Sequence, residues 1–260
     1  MTAPPPGRRG LLVLAYHAIS ADWEDPLAVT PATFRFQLES LADAGYRGLT
    51  FSEAATSTET DKRVAITFDD AFASAAIHGP PILDELGWPA TVFAPTVPVE
   101  TREPMRWLGG GRRRRPDEDL ELVAMTWDDL AQLAAKGWEI GSHTQTHRRL
   151  SELPDGEAKH ELERSRSEIG ERVGPCTSIS YPWGEVSERV VVVARTAGYL
   201  TGSGLGGRFR FGNRMAVPRV ALARGDGSLG WRLKTSPGMW LIRSTPLWTA
   251  AERVRSAIRR

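Results

Sequence analysis

Apolar positions along this chain switch repeatedly between two periods. Short, nearly uninterrupted apolar runs at 11–16 (LLVLAY), 63–68 (RVAITF), 89–95 (PATVFAP), 138–142 (WEIGS), 177–182 (TSISYP) and 214–222 (RMAVPRVAL) predict strands. Between them, the spacing predicts helices over 30–45, 80–87, 126–137, 154–174 and 186–198. Pro31 falls in the first turn of its helix and Gly45 marks its stop. Thr126 and Asp129 open another helix in the manner of a capping box. Strand and helix alternate, which argues for an α/β fold with a parallel sheet and crossover helices. At 260 residues, one closed or partly closed barrel over 1–260 is expected rather than two separate domains.

Two segments break the rhythm. Residues 109–119 (GGGRRRRPDED) show no apolar periodicity and predict a surface insertion near 105–120, its arginines solvated. The tail from 238 carries Trp240, Trp248 and a basic end, which predicts an amphipathic helix near 246–260 packed on the barrel.

Composition narrows the function classes. Lys+Arg 33 against Asp+Glu 32 leaves a net charge of +1, so no overall basic field points to nucleic acid. A single cysteine, Cys176, rules out an intramolecular disulfide. The apolar run after Arg8 and Arg9 is broken by Tyr16 and His17, and no small-residue cleavage pattern follows. It reads as a first strand rather than an export signal, no segment has the length of a membrane span, and the expected location is cytoplasmic.

Candidate chemistry begins with Asp69 and Asp70, adjacent carboxylates at the end of a predicted strand. Two like charges there are costly unless something compensates them. The segment 139–147 (EIGSHTQTH) offers a compensating device, since His143 and His147 stand four apart after another strand. On a turn of helix, that spacing places both imidazoles on one side, within reach of one ion. A divalent cation held by His143, His147 and one carboxylate keeps positions open for water and substrate. Alone, each motif has an ordinary explanation: Asp70 as a helix cap, the histidines as a chance pair on a surface helix. Together, both following strands, they converge on the C-terminal rim of a barrel. A third stretch, 178–185 (SISYPWGE), also ends a strand; Tyr181, Pro182 and Trp183 offer backbone N–H groups and an aromatic wall, or simply a structural turn.

Taken in order, ITFDD, GSHTQTH and YPWG, with YH after the first strand, resemble the polysaccharide deacetylases, the NodB-like domain of carbohydrate esterase family four. The similarity spans all but the C-terminal part of the chain and is closest in feel to deacetylases of exopolysaccharide biosynthesis. It implies a distorted (β/α) barrel and the metal-dependent removal of an acetyl group from an N-acetylated sugar or glycan. By the same resemblance, Asp69 is the general base and Asp70, His143 and His147 hold one divalent ion. Zinc suits such a mixed carboxylate and imidazole set, with cobalt or nickel able to substitute. Thr144 fills a hydroxyl position that orients the histidine loop, and Trp183 stands where a backbone N–H helps hold the oxyanion.

Two departures matter. Ser180 occupies the position of an arginine common in the third motif, and no histidine follows His160, so the late Leu-x-His motif is missing. His17 is the candidate for the acid that protonates the leaving group, with a structural histidine as the competing reading. Arg219 is the candidate for orienting Asp69. The implied partner is an acetylated carbohydrate, without nucleic acid or stable membrane insertion. The rival readings are a hydrolase of another non-peptide C–N bond on the same scaffold and a catalytically silent glycan-binding domain.

Overall fold

The computed structural model describes residues 10–107, 119–205 and 213–236. In chain order the elements are β1 (Leu11–Tyr16), β2 (Ala18–Ile19), β3 (Ala28–Val29), α1 (Pro31–Asp43), β4 (Arg47–Leu49) and α2 (Phe51–Thr56). Next come β5 (Arg63–Asp69), α3 (Ala73–Leu86), β6 (Thr91–Ala94), α4 (Thr96–Thr101), α5 (Trp127–Ala135) and β7 (Glu139–Ser142). The chain continues through α6 (Asp155–Arg172), β8 (Ser178–Ser180), α7 (Glu188–Thr196), β9 (Thr201–Leu205), β10 (Val217–Ala221) and α8 (Ser228–Thr235).

Among the described residues, seven parallel strands close in the order β1–β10–β9–β8–β7–β6–β5, and β1 pairs with β5 to complete the ring. This is the expected distorted (β/α) barrel. The distortion is visible at β5, whose first half pairs with β4 (Leu49↔Ala65) and whose second half pairs with β6 (Asp69↔Phe93) on the same side. Because the ring strands are parallel, all their C-terminal ends reach one rim.

Both faces of the ring strands are buried, which is why β1 and β5 read as continuous apolar runs rather than alternating ones. The larger core fills the space between strands and helices. A smaller one lies inside the barrel, where Leu11, Val13, Ala65, Phe93 and Val217 pack with Phe51, Ala54 and Ala55 of α2. Helix α2 closes the N-terminal end: Phe51 N–H donates to Thr91 Oγ1 at 2.8 Å, and Ser52 N–H to Glu139 Oε2 at 2.8 Å. Side chains alternate along a strand. Thr67 and Asp69 therefore share the inward face of Ala65, and Arg219 shares that of Val217. The period of two thus places an acid and a base inside the barrel above its apolar plug.

Several elements differ from the sequence expectation. Helix α3 starts at Ala73 rather than 80 and carries Pro80 and Pro81 in its interior. Prolines there remove backbone hydrogen bonds, but buried Ala75, Gly79, Ile82 and Leu83 keep one apolar face continuous past them. Helix α2 has a capping box from Thr50 to Glu53 that is legible in TFSE. Strand β9 (TGSGL) carries almost no apolar signal because its glycines admit close neighbours: a Cβ on Gly204 would lie 2.8 Å from Gly184 O. No helix among the described residues is long and apolar enough to cross a membrane. Residues 108–118 of the expected insertion and the expected C-terminal helix near 246–260 lie outside the described residues.

Candidate active site

Strand β5 delivers Asp69 to the rim, and the chain then turns sharply. Asp70 and Ala71 take φ values of 65° and 50°, a left-handed region that costs non-glycine residues roughly 1–2 kcal/mol each. A strap across the turn holds it: Met125 N–H donates to Ala71 O at 2.7 Å, and Ala73 N–H to Val123 O at 2.9 Å. The turn brings both carboxylates to one mouth, where their surroundings diverge.

Asp69 is paired with Arg219. Nη1 donates to Oδ1 and Nη2 to Oδ2, both at 2.7 Å, in a fork that fixes the carboxylate plane. The guanidinium is itself held by Thr67 Oγ1 at 2.9 Å and Ser180 Oγ at 2.6 Å, over the ring of Phe93. Burial alone would raise the Asp69 pKa; the charge and hydrogen bonds of Arg219 outweigh it and hold the carboxyl far below the usual range. Arg219→Met should strand this buried charge and destabilise the fold by about 3–5 kcal/mol. Adding Asp69→Asn should recover most of that loss, and urea denaturation of the single and double variants reads both effects.

Asp70 has no such partner. Its Oδ1 lies 3.6 Å from His143 Nε2 and 3.2 Å from His147 Nε2, and its Oδ2 lies 3.9 Å from His17 Nε2. Burial, followed by the charge of Asp69, pushes the Asp70 carboxyl well up. Burial also lowers all three imidazoles, His147 to about 2 and His17 to about 4. None is a cation at neutral pH, so these contacts are not ion pairs. Asp70 Oδ1 is buried and accepts no hydrogen bond, an expensive state for a carboxylate oxygen. His143 Nδ1 lies 2.7 Å from Ser180 O, which can only accept. The proton therefore sits on Nδ1 and the Nε2 lone pair faces Asp70. One ligand atom each from Asp70, His143 and His147 lies within 4.8 Å of the others. One carboxylate and two imidazoles converging on a common point fit a divalent ion.

The two histidines do not share a helical turn, as their spacing suggested. Residues 143–147 form a loop in which Thr144 and His147 take φ values of 67° and 60°. Serine and threonine side chains set this geometry. Thr144 N–H donates to Ser142 Oγ at 3.0 Å, and His147 N–H to Thr144 Oγ1 at 3.1 Å. From the first turn of α4, Thr96 and Val97 N–H donate to the carbonyls of Thr144 and Gln145. The imidazoles end with ring centroids 4.8 Å apart.

Trp183 sits at the mouth, 42% exposed, with φ 62°. Its indole N–H donates to His147 O at 3.3 Å, and the Arg149 guanidinium lies 4.2 Å above its ring. No acceptor takes its backbone N–H among the described residues. Pro182 is buried beside it. Tyr181 is also buried, and its hydroxyl would stand 2.7 Å from a Cβ on Gly202, so the phenol packs against β9 and Trp183 supplies the exposed aromatic surface. His17, Asp69, Asp70, His143, His147, Thr144, Trp183 and Arg219 thus come together, while His78 lies in α3 and His160 is exposed on α6. Sequence reasoning missed Trp107, whose ring stacks on His147 at 4.9 Å and 11°, and Glu161, whose carboxylate bonds the histidine loop. No local motif marks either residue.

Residues 56–202 match the family model described as polysaccharide deacetylase. The chain is 27% identical over 236 residues to the YxkH protein of Bacillus subtilis, which is described by the same family name; the match covers 88% of this chain and 72% of that protein. Among solved structures, the deacetylase PplD of Streptococcus pyogenes, in complex with acetate, superposes with a TM-score of 0.71 at 19% identity, covering 87% of this chain and 98% of that one. The IcaB structure from Ammonifex degensii gives 0.68 at 22% identity, covering 91% and 98%. A polysaccharide deacetylase from Bacillus cereus gives 0.69 at 21% identity, covering 87% and 69%. At these identities the structural likeness shows the shared fold.

Proposed function

Because the chain belongs to the polysaccharide deacetylase family, whose model spans more than half of its 260 residues, we propose that it is a metal-dependent hydrolase of the acetyl group on an N-acetylated sugar or glycan. One observation carries the reading: Asp70 converges with His143 and His147 beside Asp69, a second carboxylate kept ionised by Arg219. Zinc is the first candidate for the ion, with cobalt or nickel able to replace it. Held by Asp70, His143 and His147, such an ion supplies Lewis acidity that polarises the acetyl carbonyl and lowers the pKa of water.

The chain's own groups do the rest. Asp69, ionised and fixed in plane, takes a proton as general base. Arg219 orients it, and Thr144 holds the loop that carries both imidazoles. The Trp183 backbone N–H faces the developing oxyanion as donor, and its indole walls the cleft. Expelling an amide anion is prohibitively uphill, so the leaving amine must be protonated. His17, partly exposed and neutral at rest, must take up a proton from solvent before it can give one to the amine.

His17→Ala should therefore keep its metal and lose about 100-fold or more in amide turnover, the scale of general acid catalysis. An activated acetyl ester, whose leaving group needs little protonation, should lose much less. Equal loss on both substrates would remove His17 from the acid role. The function itself is tested by acetate release from a panel of N- and O-acetylated glycans and small amides, before and after chelation. Release from acetylated glycans that stops on chelation supports the reading. Turnover of small amides alone favours the other C–N hydrolase, and no release with the metal bound favours a silent glycan-binding domain.

A further inference from the structure

We propose that Glu161 is a positioning residue for the metal site: its carboxylate, reaching in from α6, holds the loop between His143 and His147 in the conformation that aims both imidazoles at Asp70. This rests on the reading that Asp70, His143 and His147 hold a divalent ion. Glu161 Oε2 accepts from Gln145 N–H at 3.0 Å and from Thr146 N–H at 2.8 Å, and Oε1 accepts from the Thr146 hydroxyl at 2.5 Å. All three donors belong to residues standing between the two histidines. The side chain is 5% exposed, and three hydrogen bonds from the loop compensate the burial of its charge.

The loop needs such a device. With Thr144 and His147 both in the left-handed region, its conformation is intrinsically unfavourable and persists only where the surroundings over-determine it. Ser142, Thr144 and the β6–α4 backbone fix the flanks of the loop and two of its carbonyls. The amides of Gln145 and Thr146, at the crest, are fixed by Glu161. Without that carboxylate the crest must turn its amides to water, and the directions of His143 and His147 become uncoupled. The consequence is read at the metal, since residues that orient ligands typically change metal affinity by about 10–100-fold.

The test is a cobalt(II) titration of the metal-stripped 260-residue chain, followed by its visible absorption bands, with thermal melting of the metal-free forms alongside. Glu161→Ala should bind cobalt about 10–100-fold more weakly than the wild type, with altered bands. Glu161→Gln should retain most of the affinity, because its amide oxygen accepts from both N–H groups while its NH2 donates to the Thr146 hydroxyl. Ile169→Ala, a core truncation two turns further along α6, controls for general destabilisation and should lower the melting temperature without changing affinity. If the alanine variant does not fold, Glu161→Asp, which withdraws the oxygens by one methylene, should bind about 10-fold more weakly. Wild-type affinity in Glu161→Ala or Glu161→Asp overturns the role of Glu161. Weakening by Ile169→Ala equal to that of the Glu161 variant, or equal weakening in Glu161→Gln, overturns it too. A wild-type chain that takes up no cobalt overturns the metal reading itself, a distinct result.

Discussion

Replacing His143 with alanine is expected to strip the chain of its metal and abolish acetate release while leaving the barrel folded. The imidazole is fixed by one bond from Nδ1 to Ser180 O, and its Nε2 faces Asp70 Oδ1, which accepts no hydrogen bond. With His143 as a proposed direct ligand, its truncation should lower affinity by more than the roughly 10–100-fold typical of an outer orienting residue. The fold should tolerate the change, because the lost ring is one of three buried polar groups crowded together, with Asp70 Oδ1 left without a hydrogen bond. Elemental analysis beside circular dichroism reads both effects, and full metal occupancy in His143→Ala would sink the ligand assignment.

Asp69→Asn should do the reverse: metal retained, turnover reduced by about 100-fold or more, the usual contribution of a general base. The amide keeps the shape of the carboxylate and one acceptor for Arg219, but it cannot take a proton. Its lost charge also leaves the buried guanidinium poorly compensated, so a lower melting temperature should accompany the loss of turnover. The pair of carboxylates separates cleanly on these grounds, since Asp69 has a cationic partner in Arg219 while Asp70 faces only neutral imidazoles. If Asp69→Asn shed its metal and Asp70→Asn kept it, the two roles would be exchanged.

How much of this could be read in advance depends on how local each signal is. The strands β1, β5 and β7 and the helices α1 and α5 were legible because burial imposes a period and caps are short-range: Thr30 and Thr126 accept the amide bonds that start α1 and α5. Of helix α3 only the stretch from residue 80 was legible, since the local pattern does not show the buried face of Ala75, Gly79, Ile82 and Leu83 that carries the helix past Pro80 and Pro81. The histidine loop was misread for a similar reason. Spacing alone admits a helical turn, and the left-handed Thr144 and His147 are held by Ser142, Thr144 and Glu161 through hydrogen bonds that no spacing encodes.

By itself the sequence determined the alternation of strand and helix, and with it the single rim on which Asp69, Asp70, His143, His147 and His17 must gather, because parallel strands send all their C-terminal ends one way. It also carried the family, through motifs that each follow a strand. The tertiary structure alone decided which charge answers which. Arg219 stands 150 positions from Asp69 in the chain, and only closure of the ring, with β10 pairing on β1 and β1 on β5, brings that guanidinium to the carboxylate. The strand order β8–β9–β10 places Ser180 against Arg219, and the segment between α4 and α5 stacks Trp107 on His147. Such contacts depend on barrel geometry rather than on any local period, and electrostatic pairing in a buried site is set by distance in space.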